Sequence, residues 1–235
     1  MTTPRTEQAA HSGEAGVRPP AAAIELSNVT VAPNGLTILE SFSLRVEAGE
    51  RVILTGPSGS GKTTVLRCLA GLVVPSSGTI TIGGVRMDDS TVWDLRARLA
   101  YVPQEPDLGT GTVRQWIERP FSYQANTDRK KNLAGLDDLF KCFQLDRSLL
   151  ESDISTISGG EKQRVALVSA ITLDRTIYLL DEPASALDER NTEILMDYFR
   201  ARDDLCVVAA AHAAGNLPFA HRVVTLAGLG LEVTG

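Results

Sequence analysis

The sequence predicts an α/β fold built on a mostly parallel sheet covered by helices on both faces. Three observations carry that expectation. Short apolar runs of strand length recur between helical stretches from Ile24 to Leu226. One run, Arg51–Thr55, leads into a glycine-rich loop that opens a helix. Another, Thr176–Leu180, ends in two adjacent carboxylates, Asp181 and Glu182. A parallel sheet delivers such loops to one edge, where ligands bind.

The elements follow in order. Residues 1–22 are small, polar and Pro-containing, without the continuous apolar stretch of a secretory signal, and read as a disordered tail. Ile24–Val31 (IELSNVTV) alternates and reads as a strand. Phe42–Val46 alternates again, with Phe42, Leu44 and Val46 on one face. Arg51–Thr55 (RVILT) is apolar enough to be buried on both sides. Thr79–Ile82, after the turn residues PSSG, reads as an edge-type strand. Leu99–Val102, Thr176–Leu180, Leu205–Ala210 and Val223–Leu226 are further strands. Helices are expected at Lys62–Leu72, Gly160–Thr172 and Asp188–Arg202. The stretch from about 105 to 155 has no strong strand pattern and carries helix-like segments at Thr112–Glu118 and Leu136–Phe143. It reads as a helical insert between two halves of the core. No internal repeat is visible.

Composition narrows the function classes. The chain has 235 residues, 43% hydrophobic and 22% charged, which suits a globular domain and excludes a disordered acidic tail or a disulfide scaffold. Net charge is −6, so nucleic acid is not an expected partner and any phosphate binding must be local. Cys68, Cys142 and Cys206 are far apart and lack metal-ligand spacing, so they read as buried reduced thiols. No apolar run reaches the roughly 18 residues of a membrane span.

The chemistry sits in three short stretches. Gly56-Pro57-Ser58-Gly59-Ser60-Gly61-Lys62-Thr63 fits G-x-x-x-x-G-K-[ST] between a buried strand and a helix. Glycines let successive N–H groups curl inward, and the helix N-terminus adds to that anion site. Lys62, one of five lysines beside 18 arginines, brings a charge to the phosphates, and Thr63 a hydroxyl for Mg²⁺. Thr64 follows on the same loop. Asp181 is placed to hold the metal shell and Glu182 to orient and polarise water; an acidic helix cap before Pro183 is the plainer reading of that pair. Ile157–Arg164 (ISGGEKQR) places Ser158 and two glycines before a helix. It fits an anion site, and equally an ordinary capping box between Ser158 and Glu161.

These residues together resemble the ATP-binding-cassette ATPases, the nucleotide-binding subunits of transporters. GPSGSGKTT resembles the family's Walker A, IYLLDEP its Walker B with the catalytic glutamate, and ISGGEKQR its signature, with Glu161 where many members carry Gln. Gln104 in YVPQEP resembles the Q-loop, Ser185-Ala186-Leu187-Asp188 the D-loop, and His212 after VVAAA the switch histidine. Six motifs in the family's order cover about 24–226. The resemblance implies a P-loop NTPase fold: a RecA-like core sheet, an antiparallel β subdomain and a helical insert, with 23–235 as one ATPase domain.

It also implies a mechanism. Two cassettes, identical or not, close head to tail, each ATP lying between one chain's Walker A and the other's signature. ATP is then bound by Gly56 through Thr64, by Gln104, by Ser158, Gly159, Gly160 and Glu161 of the facing chain, and by Asp188. Mg²⁺ is held by Thr63, Gln104 and Asp181. Glu182, His212 and Lys62 are the catalytic residues. The cassette drives a separate integral-membrane permease and lies on the cytoplasmic face of the cell membrane. His11 and His221 take no part.

Two departures stand out. Where the family stacks an aromatic on adenine, Pro33 or a neighbour stands here, and no Phe, Tyr or Trp lies between Ile24 and Leu39. Weaker or less adenine-selective binding is expected. Ala213 follows His212 where many members have Asp. In the insert, Trp116, Ile117, Phe121 and Tyr123 suit either subdomain packing or a groove for a permease helix. TGPSGSGKTT, QEPDLGTGTVRQW, SGGEKQR and DEPASALDERN are together similar to the Fet-type iron-exporter subgroup, which points to metal export. An amino acid, lipid or drug substrate, a soluble cassette working on a macromolecule, and a regulator without turnover are the alternatives.

Overall fold

The computed structural model describes residues 22–212 and 219–227. The expected tail 1–22 falls, but for Ala22, outside the described residues, as does Ala213. The chain runs β1 (Ala22–Val31), β2 (Leu39–Glu47), β3 (Arg51–Thr55), α1 (Lys62–Leu69), β4 (Ser77–Ile82), β5 (Val85–Arg86), α2 (Val92–Arg96) and β6 (Leu99–Val102). It continues with α3 (Val113–Glu118), α4 (Leu136–Cys142), α5 (Gly159–Thr172), β7 (Ile177–Asp181), α6 (Glu189–Arg200), β8 (Cys206–Ala210) and β9 (Arg222–Thr225).

Five strands form a sheet in the order β6-β7-β8-β3-β9, every pairing parallel. Four others form an antiparallel sheet in the order β2-β1-β4-β5. The central strands are apolar throughout because both their faces are covered. Tyr178 and Leu180 of β7, Ile53 of β3, and Val207 and Ala209 of β8 point into a core shared with α5, α6 and the insert. Their alternates Ile177, Leu179, Val52, Leu54, Cys206 and Val208 point into a second core shared with α1 and the antiparallel sheet. This period-two partition is what the unbroken apolar runs require.

Helix α1 stops at Leu69, short of the expected Leu72. Gly71 takes a positive φ of +66°, and Leu72 turns its N–H back to the Arg67 carbonyl. Strand β5 and helix α2, of two and five residues, are too short to leave a period in the sequence. The insert holds α3 and α4 as expected, but 124–135 is a run of 3₁₀ turns without a buried residue. Ile117 and Phe121 are buried, Trp116 packs against the core, and Tyr123 is exposed. Cys68 and Cys206 are buried free thiols; Cys142 departs from expectation, its place on the outer face of α4 leaving it exposed. No described helix is long and apolar enough to cross a membrane.

Candidate active site

Four strands of the parallel sheet end around one cleft of about 430 Å³. β3 feeds the loop Gly56–Gly61 into α1, β6 leads to Gln104, β7 to Asp181 and Glu182, and β8 to His212. Ser58, Gly59, Ser60, Gly61, Lys62, Thr63 and Thr64 all line the cleft, with Gln104, Glu182 and His212 facing them.

The loop needs glycine at both ends. Gly56 has φ +143°, and a Cβ there would lie 2.3 Å from the Leu226 carbonyl oxygen. Gly61, the N-cap of α1, has φ +96°, and its Cβ would meet Leu39 Cδ2 at 2.6 Å. Only a residue without Cβ allows that close approach. Lys62 is largely buried and donates from Nζ to the carbonyls of Gly56 (2.9 Å) and Pro57 (3.0 Å), which holds its ammonium at the loop mouth. Ser60 is buried, its hydroxyl unpartnered and turned toward Gly56.

Asp181 is nearly fully buried. Thr63 Oγ1 donates to its Oδ1 at 3.0 Å, and the Tyr101 hydroxyl lies 3.4 Å from its Oδ2. Burial pushes the Asp181 carboxyl above its ordinary value; the Thr63 bond opposes that, and the Glu182 charge adds to it. A thirsty, oxygen-rich corner of this kind suits a hard divalent cation. Tyr101 was not among the expected residues. Its position two strand residues from Asp181 across the β6–β7 pairing is the signal that would have found it.

Glu182 has the left-handed φ of +46°, rare for a residue with a side chain. The turn is held by its N–H bond to the Ala210 carbonyl at 3.0 Å. It swings the carboxylate out of the strand line and over the loop. Gln104 Nε2 donates to Oε2 at 3.0 Å, and His212 Nε2 lies 3.0 Å from Oε1. Each carboxylate oxygen therefore has a fixed neighbour. Ile38, also unanticipated, is the apolar residue among those lining the cleft, its carbonyl oxygen close to Gly61, whereas Pro33 starts an exposed 3₁₀ turn. From Glu182 and His212 a second groove of about 580 Å³ runs past Ser185 along α6.

The remaining expected residues lie apart from the cleft. Ser158, Gly159, Gly160 and Glu161 start α5 and do not line it. Of the two readings of this stretch, the ordinary capping box is the one present here. Ser158 N–H and Oγ–H donate to Glu161 Oε2 at 2.8 and 2.7 Å, and Glu161 N–H returns a bond to Ser158 Oγ at 3.3 Å. Those bonds hold the Glu161 carboxyl below its ordinary value. Asp188 caps α6, accepting from Asn191 N at 2.8 Å, and also stands away from the cleft.

A family model described as ABC transporter matches residues 39–185. The chain is 32% identical over 207 residues to the probable iron export ATP-binding protein FetA of Escherichia coli (strain K12), covering 86% of this chain and 90% of that one. It is 32% identical to the Fe(3+) ions import ATP-binding protein FbpC 2 of Pectobacterium atrosepticum, and spans 60% of that longer relative. Among solved structures, the ATP-binding cassette MJ0796 in a dimeric, post-hydrolysis state bound to ADP and Pi superposes with a TM-score of 0.78 at 27% identity, covering 87% of this chain and 94% of that one.

Proposed function

Because the chain belongs to the ABC transporter family, we propose that it powers a separate integral-membrane permease, with Glu182 as the residue that directs water at ATP. The chain is an ATPase of that family. The observation that carries the reading is the clamp on Glu182: one carboxylate, fixed by Gln104 and His212, above a phosphate-binding loop.

The geometry supports the following steps. Backbone N–H groups of Gly59 through Thr64 and the Lys62 ammonium take the phosphates of ATP. Thr63, Asp181 and Gln104 would hold Mg²⁺, which would supply neutralisation of phosphate charge. Glu182 accepts the proton of an attacking water, and its fixed orientation lowers the cost of reaching that geometry. His212, its side chain 56% exposed beside Glu182, is left free to contact the terminal phosphate of a bound ATP.

Ser158, Gly159, Gly160, Glu161 and Asp188 stand away from this chain's own cleft. They complete the site of a second cassette, so the working unit is a two-fold pair. A heterodimer with a related cassette satisfies the same rule. The permease holds the pair on the cytoplasmic face of the cell membrane; nucleic acid has no part. Exposed Tyr123 and half-buried Trp116 mark the insert surface that meets it.

Metal export, with iron as cargo, is the substrate reading. Its support is the similarity to the Escherichia coli relative over nearly its whole length. The test is co-purification with the candidate permease and ATPase assay in lipid. Stimulation by Fe²⁺ is the expected result. Stimulation by an amino acid or lipid instead, with none by iron, overturns it.

A further inference from the structure

At the edge of the parallel sheet opposite the cleft, where β6, β7 and β8 begin, three arginines face one cavity of about 310 Å³. Arg98 precedes β6, Arg175 precedes β7, and Arg129 belongs to the insert segment 124–135. Arg175 is only 5% exposed. Its side-chain hydrogen-bond partner is the neutral amide oxygen of Asn126, and its Nε has no partner at all. A buried guanidinium with no carboxylate in hydrogen-bonding contact is an expensive arrangement.

The acidic residues on the cavity wall are already engaged. Asp174 lies 3.8 Å from Arg129 and is largely exposed. Asp204 accepts from Arg202 Nε and NH2 at 3.0 and 3.1 Å. Among the described residues no ion pair involves Arg98 or Arg175. Burial first, then the Arg129 charge, holds Arg175 below its ordinary value, and the weaker opposing pull of Asp174 does not make that up.

We propose that this cavity binds a phosphate-class oxyanion, either inorganic phosphate or a small phosphate monoester, with Arg175 as its buried anchor and Arg98 and Arg129 closing on it. A tetrahedral dianion offers a separate oxygen to each of three guanidinium forks, whereas a carboxylate has two oxygens and one charge. The volume suits a small ligand. The position gives such a ligand leverage. β6 and β7 start here and end at Gln104 and at Asp181 and Glu182. Arg129 donates to the Leu173 carbonyl at 3.1 Å and to that of Asp174, and Asn132 donates to the Thr172 carbonyl at 3.0 Å, all at the C-terminal end of the helix that Ser158 begins. An anion here ties the insert, two strands of the site and α5 together.

The test is thermal unfolding of the full chain in the Lys62→Ala background, which weakens anion binding at the nucleotide loop. Inorganic phosphate, glycerol phosphate and acetate are compared at about 10 mM against chloride of equal ionic strength. Inorganic phosphate or glycerol phosphate should raise the melting temperature by about 2–4 °C, the larger shift naming the source. Adding Arg98→Ala, an exposed position, should remove most of that shift. Arg175→Met should remove it too while raising the unliganded melting temperature, because an unpaired buried charge is gone. An equal shift with and without Arg98, or acetate matching phosphate, overturns the proposal.

Discussion

Gln104 donates from Nε2 to Oε2 of Glu182 at 3.0 Å, joining two strand ends that are 78 residues apart in the chain. The bond fixes the carboxylate from one side while His212 fixes it from the other. A hydrogen bond to a charged group contributes about 1.5–3 kcal/mol. Gln104→Ala should therefore lower kcat for ATP hydrolysis about ten- to a hundredfold, with a smaller loss of Mg²⁺–nucleotide affinity because Thr63, Asp181 and the loop remain. Steady-state kinetics beside equilibrium nucleotide binding check it. A variant that loses binding but keeps kcat would contradict a role for Gln104 in holding Glu182.

Asp181 carries a different expectation, about stability. Its carboxyl is buried, and its folded value is raised above the ordinary 3.8. The folded chain thus holds that proton at higher pH than the unfolded chain, and the ionised form weighs against folding once pH exceeds both values. Asp181→Asn keeps the shape and bonds to Thr63 and Tyr101 without the charge. It should abolish turnover yet raise the melting temperature at neutral pH. The gain should shrink as pH falls through the folded value and vanish below 3.8. A gain that does not depend on pH contradicts this account.

Pro33 begins an exposed turn at the end of β1, and Ile38 is the apolar residue among those lining the cleft. Among the described residues that line the cleft, none is Phe, Tyr or Trp. Stacking contributes about 1–3 kcal/mol per base. Pro33→Tyr should tighten ATP about tenfold and widen the preference for ATP over GTP. Competition binding of the two nucleotides measures both, and unchanged constants refute the idea.

Ser158 caps α5 through the box with Glu161 and also faces outward from its own cleft. Ser158→Ala should cost about 1 kcal/mol, a loss of about 2–4 °C. Ser158→Arg should cost as much and, in addition, abolish ATP-driven pairing and turnover while nucleotide binding to the single chain persists. Sedimentation with and without ATP separates the two effects. Turnover surviving in Ser158→Arg would place the composite site elsewhere.

Most of the fold was legible because burial on two faces leaves unbroken apolar runs. Ile53, Leu179 and Val208 lie in β3, β7 and β8, the strands that the runs predict. What stayed hidden was short or aperiodic. β5 and α2 are smaller than any period, and 124–135 has no buried residue to mark a face. The site residues were legible where chemistry demands a residue type at a fixed spacing, as in Gly56–Thr63 and Asp181–Glu182. Tyr101 and Ile38 were not, since each acts through packing that only the sheet pairing and the Gly61 approach create. The left-handed backbone of Glu182 leaves no mark in the sequence either, because Pro183 after it suits several turns.

The most direct measurement is ATP hydrolysis and ATP-dependent pairing of Glu182→Gln, which keeps the shape and both neighbours but removes the carboxylate. Turnover should fall at least about a hundredfold while the ATP-bound pair still forms and persists. Hydrolysis at the wild-type rate would contradict the assignment of Glu182 and with it the reading of the clamp.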